Sequence, residues 1–207
     1  MYRPPAFRED RLEVLHALIA RHRLGTLITG GTQGLMANLV PFTLDATRGP
    51  FGTLTAHLAR ANDQIAALHS GDEVLVLFQG PESYITPGWY PSKQEHGKVV
   101  PTWNYVLVEA RGHSRVIDDS TWLRAQVAEL THVQESQRPT PWAVNDAPEA
   151  YIAAQLKGIV GIEIEIVRIE GKWKASQNRP EADRAGVAMG LDADGQPELS
   201  RIVAQRD

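Results

Sequence analysis

The chain has 207 residues, no cysteine and a formal net charge of −4, with 21 lysines and arginines against 25 aspartates and glutamates. Without cysteine it can form no disulfide, thiolate metal site or iron–sulfur cluster, and catalysis by a thiol is excluded. Its 43% hydrophobic and 22% charged residues are typical of one globular domain, or one domain with an appendage, and not of a disordered chain. The mild acidity argues against a large contact with a nucleic-acid backbone, which needs clustered lysine and arginine.

The amino-terminal segment carries charge from Arg3 onward and no apolar segment follows it, so we predict no signal peptide. The longest purely apolar run, residues 74–78, is far too short to cross a bilayer. A chain that uses no cysteine fits a reducing compartment. We therefore expect a cytoplasmic protein without membrane association.

The apolar pattern of the first half of the chain predicts a helix followed by a series of strands. The helix covers residues 8–23 and ends at Gly25. The next two strands flank a glycine-rich segment, residues 30–34, which lacks the spacing and the following helix of a phosphate-binding loop and therefore indicates a hairpin turn. The further elements are strands over residues 51–58 and 83–86, a fully buried central strand over 74–78, a helix over 61–69 and a turn at Gly80 and Pro81.

The second half continues with a polar loop and then alternates long strands with helices. The elements are a loop over residues 87–97, a strand over 105–117, helices over 121–134 and 149–157, a strand over 158–170 and two weak helices on either side of Gly195. Most strands are joined by hairpin-like turns, without the β-α-β alternation of a doubly wound sheet. We therefore expect a mainly β fold with peripheral α-helices, and an antiparallel barrel fits this pattern best.

The densest group of chemically functional side chains lies just after the polar loop. Lys98 could neutralise a phosphate, and Thr102 and Asn104 could hydrogen-bond to a ligand. Trp103 or Tyr105 could pack against an aromatic ring. The set suits a flat, phosphorylated ligand, and the alternative is a strand entry whose tryptophan and tyrosine fill the core.

A second polar segment, residues 79–90, contains Ser83, Tyr84 and Thr86 around the apolar Ile85. This alternation would place hydroxyl groups along one side of a strand, where they could face a ligand. A half-buried strand with no ligand explains the same pattern equally well.

A third segment, residues 172–179, combines two lysines and Arg179 with Ser176 and Gln177. Such a segment favours an anion, and its single tryptophan also permits contact with single-stranded nucleic acid. The alternative is a solvated turn that follows a strand.

The seven histidines show no spacing typical of a metal site, so we predict no bound metal. His57 is the most notable of them, because it ends a predicted strand beside Arg60 and Asn62, although a single histidine is more often structural. The sequence contains no nucleophile elbow and no recognisable Ser/His/Asp triad. No catalytic residue can therefore be assigned.

Eight sequence blocks together carry a family resemblance that runs from residue 1 to about residue 185. They are the opening Met-Tyr-x-Pro-x-x-Phe, His57-Leu-Ala-Arg-Ala-Asn62, Phe78-Gln-Gly-Pro, Tyr84-Ile85, Trp89-Tyr90, Val100-Pro-Thr-Trp-Asn-Tyr105, Gln155-Leu-Lys-Gly-Ile-Val-Gly161 and Ser176-Gln-Asn-Arg179. In this order they resemble the PaiB-like proteins, a family of FMN-binding negative transcriptional regulators.

The resemblance implies an antiparallel, FMN-binding split β-barrel that forms a homodimer with the flavin near the subunit interface. For this chain we expect a barrel domain with inserted helices at residues 1–170 and a carboxy-terminal extension at 171–207 that packs on the barrel or on the partner subunit. The implied function is negative regulation through the flavin-bound homodimer. The alternative is an FMN-dependent oxidoreductase or flavin reductase without direct DNA binding.

Two further hypotheses concern the partners of such a dimer. Direct DNA binding is implied by the family description, but the chain has neither a helix-turn-helix pattern nor a basic surplus, so its charge does not support this partner. A barrel dimer that has lost its cofactor and acts through protein partners is the remaining alternative.

With FMN as the ligand, the resemblance implies a set of cofactor-binding candidates. Lys98 and Thr102 are assigned to the phosphate, which needs paired donors, with Arg60 or Arg179 as additional cations. The candidates near the ring or the ribityl chain are Trp103, Asn104 and Tyr84, and the additional candidates are His57, Ser176 and Gln177.

Overall fold

The computed structural model describes residues 1–31 and 34–205, and within them it contains eight β-strands and seven α-helices. The strands are β1 (Arg8–Glu9), β2 (Leu24–Gly31), β3 (Gly34–Pro41), β4 (Thr43–Asp45), β5 (Thr53–Ala59), β6 (Glu73–Ile85), β7 (Thr102–Ile117) and β8 (Ile159–Lys174). The helices are α1 (Leu12–Arg21), α2 (Gln64–Leu68), α3 (Ser92–His96), α4 (Ser120–Glu135), α5 (Glu149–Leu156), α6 (Glu181–Ala193) and α7 (Pro197–Gln205). Within the same residues, no helix combines the length and the apolar character needed to cross a membrane.

The strands form a mainly antiparallel sheet in the order β3-β2-β6-β7-β8-β5-β4, and β1 pairs with β8. The registered pairs β2 with β3, β2 with β6, β4 with β5 and β5 with β8 all run antiparallel. The sheet does not close on itself. This arrangement confirms the predicted mainly β fold class with peripheral helices, and the predicted hairpin is formed by β2 and β3, although Thr32 and Gln33 of its turn lie outside the described residues.

The chain divides into two compact units, both of which contain parts of β6, β7 and β8. Unit 1 comprises Met1–Leu15, Gln79–Val108 and the residues from 170 onward, and unit 2 comprises His16–Phe78 and Glu109–Ile169. The boundary predicted at residue 170 stays a prediction.

The core of unit 2 forms because alternate residues of its strands face the same side of the sheet. In β6, Val74, Val76 and Phe78 are buried, and the Phe78 ring meets Phe42 edge-on with centroids 5.8 Å apart. Leu75 and Leu77 are only half-buried. The prediction of a strand buried on both faces is therefore wrong, and β6 is a central strand with one half-open apolar face.

Helices α4 and α5 pack together in unit 2 through a small apolar cluster that contains Leu123, Ile152 and Leu156. The helix α4 begins as predicted, because the Asp119 carboxylate accepts a hydrogen bond from the Trp122 amide at 2.7 Å and so caps the first turn. The Trp122 ring covers Gly161, where an added Cβ would lie only 2.2 Å from the ring.

In unit 1, α6 holds the segment that precedes β7. The buried Asp183 carboxylate accepts hydrogen bonds from the Ser92 amide at 3.1 Å and from the Ser92 hydroxyl at 2.7 Å. The Trp89 ring packs directly on Gly190, where a Cβ would stand 2.3 Å from it. The surrounding apolar cluster consists of Ile85, Tyr90, Ala175, Val187, Leu191, Leu199 and Val203.

Three local predictions are wrong because strands that are distant in the sequence extend or pair beyond the limits that the local pattern indicates. The helix predicted over residues 8–23 begins only at Leu12, because Arg8 and Glu9 form β1 against Lys172 and Gly171 of β8. The turn predicted at Gly80 and Pro81 is absent, and β6 runs straight through both residues. Pairing of β2 with β6 covers only residues 75–77, so on that side Pro81 interrupts no ladder of hydrogen bonds.

The third of these predictions concerns the end of β8. The solvated turn considered for residues 172–179 is wrong for its first part, since Lys172, Trp173 and Lys174 are the last residues of the strand. Trp173 is buried, and so are Ala175 and Ser176 just beyond it. The loop predicted over residues 87–97 also contains a short helix, α3.

Candidate functional site

Three cationic side chains gather at the end of β8 and in the turn that follows it. The ammonium of the buried Lys172 lies 5.6 Å from the centroid of the Tyr2 ring and 5.2 Å from that of Tyr105. The Arg179 guanidinium lies 4.9 Å from the centroid of the Tyr90 ring. We call Lys172, Lys174 and Arg179 the cation cluster.

Lys174 connects the cation cluster to the first residues of β7. Its ammonium donates hydrogen bonds to the Thr102 hydroxyl oxygen and, at 2.7 Å, to the Trp103 carbonyl oxygen. Burial lowers the pKa of Lys174 below the usual range for lysine, and the positive charges of Lys172 and Arg179 lower it further. The protein thus holds positive charges close together although they repel each other. Such an arrangement is common at sites that bind an anion.

No carboxylate compensates this charge. Over residues 1–31 and 34–205, neither the two lysines nor Arg179 forms a salt bridge with an aspartate or a glutamate. The two rings around Lys172 and the ring under Arg179 supply only the weaker attraction between a cation and a π-system. An anion bound at this position would relieve the repulsion between the three charges.

Beside the cation cluster, Asn104 and Ser176 form a buried polar pair. Asn104 is 1% exposed, and its Nδ2 donates a hydrogen bond to the Ser176 Oγ at 2.9 Å, whereas its Oδ1 has no partner among the described residues. Ser176 has a φ of +63°, an uncommon conformation for a residue other than glycine. A buried acceptor without a partner and a strained backbone are both frequent at functional sites.

Tyr84 and Trp103 form an exposed aromatic pair in the same unit. Their ring centroids lie 6.1 Å apart at an interplanar angle of 72°, and the two residues are 47% and 53% exposed. Large aromatic side chains left in contact with water provide a surface on which a flat ligand or a second protein chain can pack.

Comparison of the chain with known proteins identifies its family. Residues 1–168 match the family described as "Putative FMN-binding domain". Over 202 residues the chain is 28% identical to "Protease synthase and sporulation protein PAI 2" of Bacillus subtilis, with 98% of this chain and 94% of the relative covered. The chain belongs to the PaiB-like family of FMN-binding domains.

Two further similarities agree with this assignment. Over 244 residues the chain is 36% identical to "Uncharacterized protein AN0679" of Emericella nidulans, with 100% of this chain and 97% of the relative covered. The structure of the FAD and heme binding protein from Mycobacterium smegmatis superposes with a TM-score of 0.60 at 16% identity, covering 81% of this chain and 73% of the other. The predicted family and split-barrel fold are thereby confirmed, and the family match supports FMN as the cofactor.

The structure brings several of the predicted PaiB-like site residues together in unit 1. Thr102, Trp103, Asn104, Ser176 and Arg179 lie at the cation cluster or are hydrogen-bonded to its neighbours. Their common position arises because β7 begins where β8 ends.

Two other predicted residues of unit 1 occupy less direct positions. Both polar atoms of the Gln177 side chain brace its own turn, with Oε1 accepting from the Ala175 amide at 2.7 Å and Nε2 donating to the Trp173 carbonyl at 2.6 Å. Lys98 lies in the exposed segment between α3 and β7.

The two candidates of unit 2 are engaged elsewhere. The Nδ1 atom of His57 lies 2.7 Å from the Gln126 Oε1. The Arg60 guanidinium binds both carboxylate oxygens of Asp118, at 2.8 and 2.6 Å, and also donates to two carbonyl oxygens. Arg60 follows directly after β5, and these hydrogen bonds connect it to the segments that lead into β8 and α4.

Sequence reasoning assigned no role to Lys172 and Lys174, although it noted their segment as favourable to anions. The spacing of the two lysines could have indicated that they lie together, because residues i and i+2 of a strand point to the same side. Once β8 is known to extend to Lys174, the two lysines must lie on the same face of the strand.

Proposed function

We propose that this protein binds FMN at the cation cluster and acts as a flavin-bound homodimer that regulates gene expression negatively. The observation that carries the proposal is a group of three cations without a carboxylate partner, next to a hydroxyl group and a buried unpartnered amide oxygen. The similarity to the Bacillus subtilis protein named for protease synthesis and sporulation supports the regulatory part.

The donor set of the cation cluster suits the phosphate group of FMN. A phosphate monoester is close to a dianion at neutral pH, and three cations can compensate it. Lys174 uses two of its three N–H donors on Thr102 and Trp103, so one is left for the phosphate. The Thr102 hydroxyl accepts from Lys174 and can still donate its own hydrogen, and the exposed Lys98 is the fourth cation that we assign to this end.

The remaining groups suit the ring and the ribityl chain. Tyr84 and Trp103 offer exposed aromatic surface, and the Asn104 Oδ1 offers an acceptor to an N–H or hydroxyl donor. Ser176 holds the Asn104 amide in place through the hydrogen bond that it accepts. Bound FMN would supply one- or two-electron redox chemistry, which none of the side chains can supply by itself.

Titration with FMN tests this proposal directly. Purified protein should bind FMN at micromolar concentrations with quenching of tryptophan fluorescence, and Lys174→Met should weaken the affinity about tenfold, as expected for a charge-assisted hydrogen bond. Lys157→Met, at an exposed lysine of unit 2, is the matched control and should bind like the wild type. Wild-type protein that ignores FMN at tens of micromolar, or equal affinity in both variants, would contradict the assignment.

The proposed homodimer is supported by an apolar face on the β2–β3 hairpin of unit 2. Leu35 and Leu39 are 83% and 65% exposed, and cross-strand pairing places Leu39 beside Thr26, which in turn pairs with the half-buried Leu77. Alternation along β3 puts Leu35 on the same face. Exposed leucines on one face of a sheet are typical of an interface between protein chains.

Replacement of these leucines should separate the subunits. We expect wild-type protein to sediment as a dimer at tens of micromolar and Leu35→Glu/Leu39→Glu to sediment as a monomer, because buried carboxylates would have no partner across the interface. Met189→Glu is the control, since Met189 is a 72% exposed apolar residue on α6 in the other unit. A monomeric wild type, or a doubly substituted protein that remains dimeric, would exclude this face as the interface.

An FMN-dependent oxidoreductase or flavin reductase is the second candidate function. The exposure of Tyr84 and Trp103 favours it, because a ring packed on this pair would have one face open to a small reactant. Oxidation of NADH by FMN-loaded protein faster than by free FMN would support this function. A salt-dependent, sequence-preferring complex with DNA would support direct repression instead.

A further inference from the structure

We propose that Lys174 is a reactive amine that condenses with small anionic aldehydes to form an imine. The proposal goes beyond flavin binding and does not require it, although both use the cation cluster. It rests on the hydrogen bonds of the Lys174 nitrogen, on the charges around it and on its accessibility.

Both hydrogen bonds of Lys174 can be kept when its ammonium group loses a proton. A neutral amine has two N–H donors and one lone pair, and the two acceptors present are the Thr102 hydroxyl oxygen and the Trp103 carbonyl oxygen. The ammonium has a third N–H, which no described residue accepts, so the loss of that proton breaks no hydrogen bond within the protein. In the neutral form, both N–H groups donate to these acceptors, and the nitrogen lone pair is then available to react.

The charges around Lys174 act in the same direction. Lys172 faces it from the same strand and Arg179 from the following turn, and both disfavour a third positive charge. From β7 it meets only an uncharged hydroxyl group and a carbonyl oxygen. Burial adds to this effect and lowers the pKa of the amine, yet the side chain is only half-buried and can still be reached from solvent.

The two flanking cations define the class of reactant. A carboxylate, sulfonate or phosphate group on an aldehyde would pair with Lys172 and Arg179 while its carbonyl carbon approaches the Lys174 nitrogen. The nitrogen lone pair forms the new C–N bond, and a proton moves from nitrogen to oxygen to give a carbinolamine. Loss of one water molecule then gives the imine, so that no oxidant or reductant is consumed.

Two aldehydes of similar size and different charge test the proposal. Protein without added flavin is incubated with 4-formylbenzenesulfonate or with the uncharged 4-formylbenzamide, and cyanoborohydride then fixes any imine as a secondary amine. Peptide mass spectrometry measures the modified fraction at each lysine. We expect Lys174 to react with the sulfonate about tenfold faster than with the benzamide, since attraction by the buried Lys172 and the half-buried Arg179 is worth about one factor of ten.

Other lysines of the same protein provide the controls. Lys157, an exposed lysine of unit 2, should react more slowly than Lys174 and should distinguish little between the two aldehydes. Lys172→Met should reduce the preference of Lys174 for the sulfonate, because only Arg179 then remains to attract it, and circular dichroism should confirm that the variant is folded. Labelling of Lys174 no faster than of Lys157, or equal rates with both aldehydes, would overturn the proposal.

The result is separable from that of the FMN titration. If FMN fails to bind and Lys174 still reacts selectively, the flavin assignment is wrong and the reactive amine stands. If FMN binds and Lys174 shows no selective reaction, the flavin assignment stands and the reactive amine is excluded.

Discussion

Replacing Glu163 by glutamine is expected to lower the free energy of unfolding at pH 7 by about 3 kcal/mol, the value that corresponds to the shift in the pKa of its carboxylate. The Glu163 side chain is 7% exposed and accepts hydrogen bonds from Arg48, at 2.9 Å, and from Arg115. The hydrogen bond from Arg48 is the largest of the contributions that lower the pKa of Glu163 from 4.5 to about 2, with burial opposing them. Glutamine would leave two guanidinium groups without their shared counter-charge.

The same pair of pKa values fixes the pH dependence of this contribution. The folded carboxylate stays ionised down to about pH 2, whereas the unfolded chain takes up a proton near pH 4.5. The stabilisation is therefore complete above pH 4.5 and is lost as the pH falls towards 2. Urea unfolding of the wild type and of Glu163→Gln at pH 7, 4.5 and 3 should show a difference that shrinks across the acidic range.

Glu165 provides the control for Glu163 on the same strand. It is exposed, and Glu165→Gln should change the free energy of unfolding by no more than about 0.5 kcal/mol. A loss in Glu163→Gln that is the same at every pH would show that packing, and not the ion pairs, accounts for the effect.

A second large effect is expected at Gly112 of β7, which lies against the backbone of β8. A Cβ on residue 112 would stand 2.0 Å from the carbonyl oxygen of Glu165 and 3.0 Å from the Ile164 side chain. Because the nearest atom belongs to the backbone, no side-chain rotation can relieve the clash, and the two strands must separate. Gly112→Ala should lower the free energy of unfolding by about 3 kcal/mol, at the upper end of the range for overpacking.

Gly30 of β2 is the matched control, since it is also a strand glycine and, among the described residues, its added Cβ would meet nothing closer than the Leu35 side chain at 4.0 Å. Gly30→Ala should be close to neutral in the same urea measurement, because alanine adds no clash and restricts the unfolded chain. If both variants lost the same stability, the cost would come from the general properties of strand glycines and not from the approach of β7 to β8.

The parts of the fold that could be predicted from the sequence are those encoded by local signals. The helix α4 was predictable because Asp119 caps it, and the hairpin of β2 and β3 because glycines separate two apolar runs. By contrast, β1 exists only because a distant strand offers it main-chain partners, and no nearby residue signals this. The continuation of β6 through Pro81 likewise depends on which side of the strand is paired.

The site was predictable to a similar extent. Residue types alone indicated Thr102, Trp103 and Asn104, since few core strands begin with a hydroxyl, an indole and an amide in succession. The role of Lys172 and Lys174 could not be recognised in the same way, because a pair of lysines in a presumed turn is usually solvated. Only the burial of Trp173 between them shows that the strand continues and places both lysines next to β7.

The extension of β8 to Lys174 also constrains how this protein can exchange segments with its relatives. The family match ends at residue 168, which lies inside this strand. A chimaera joined at that residue would take β1 from one parent and the residues that pair with it, Gly171 and Lys172, from the other. The cation cluster would then come wholly from the second parent, whereas Thr102, Trp103 and Asn104 of β7 would come from the first.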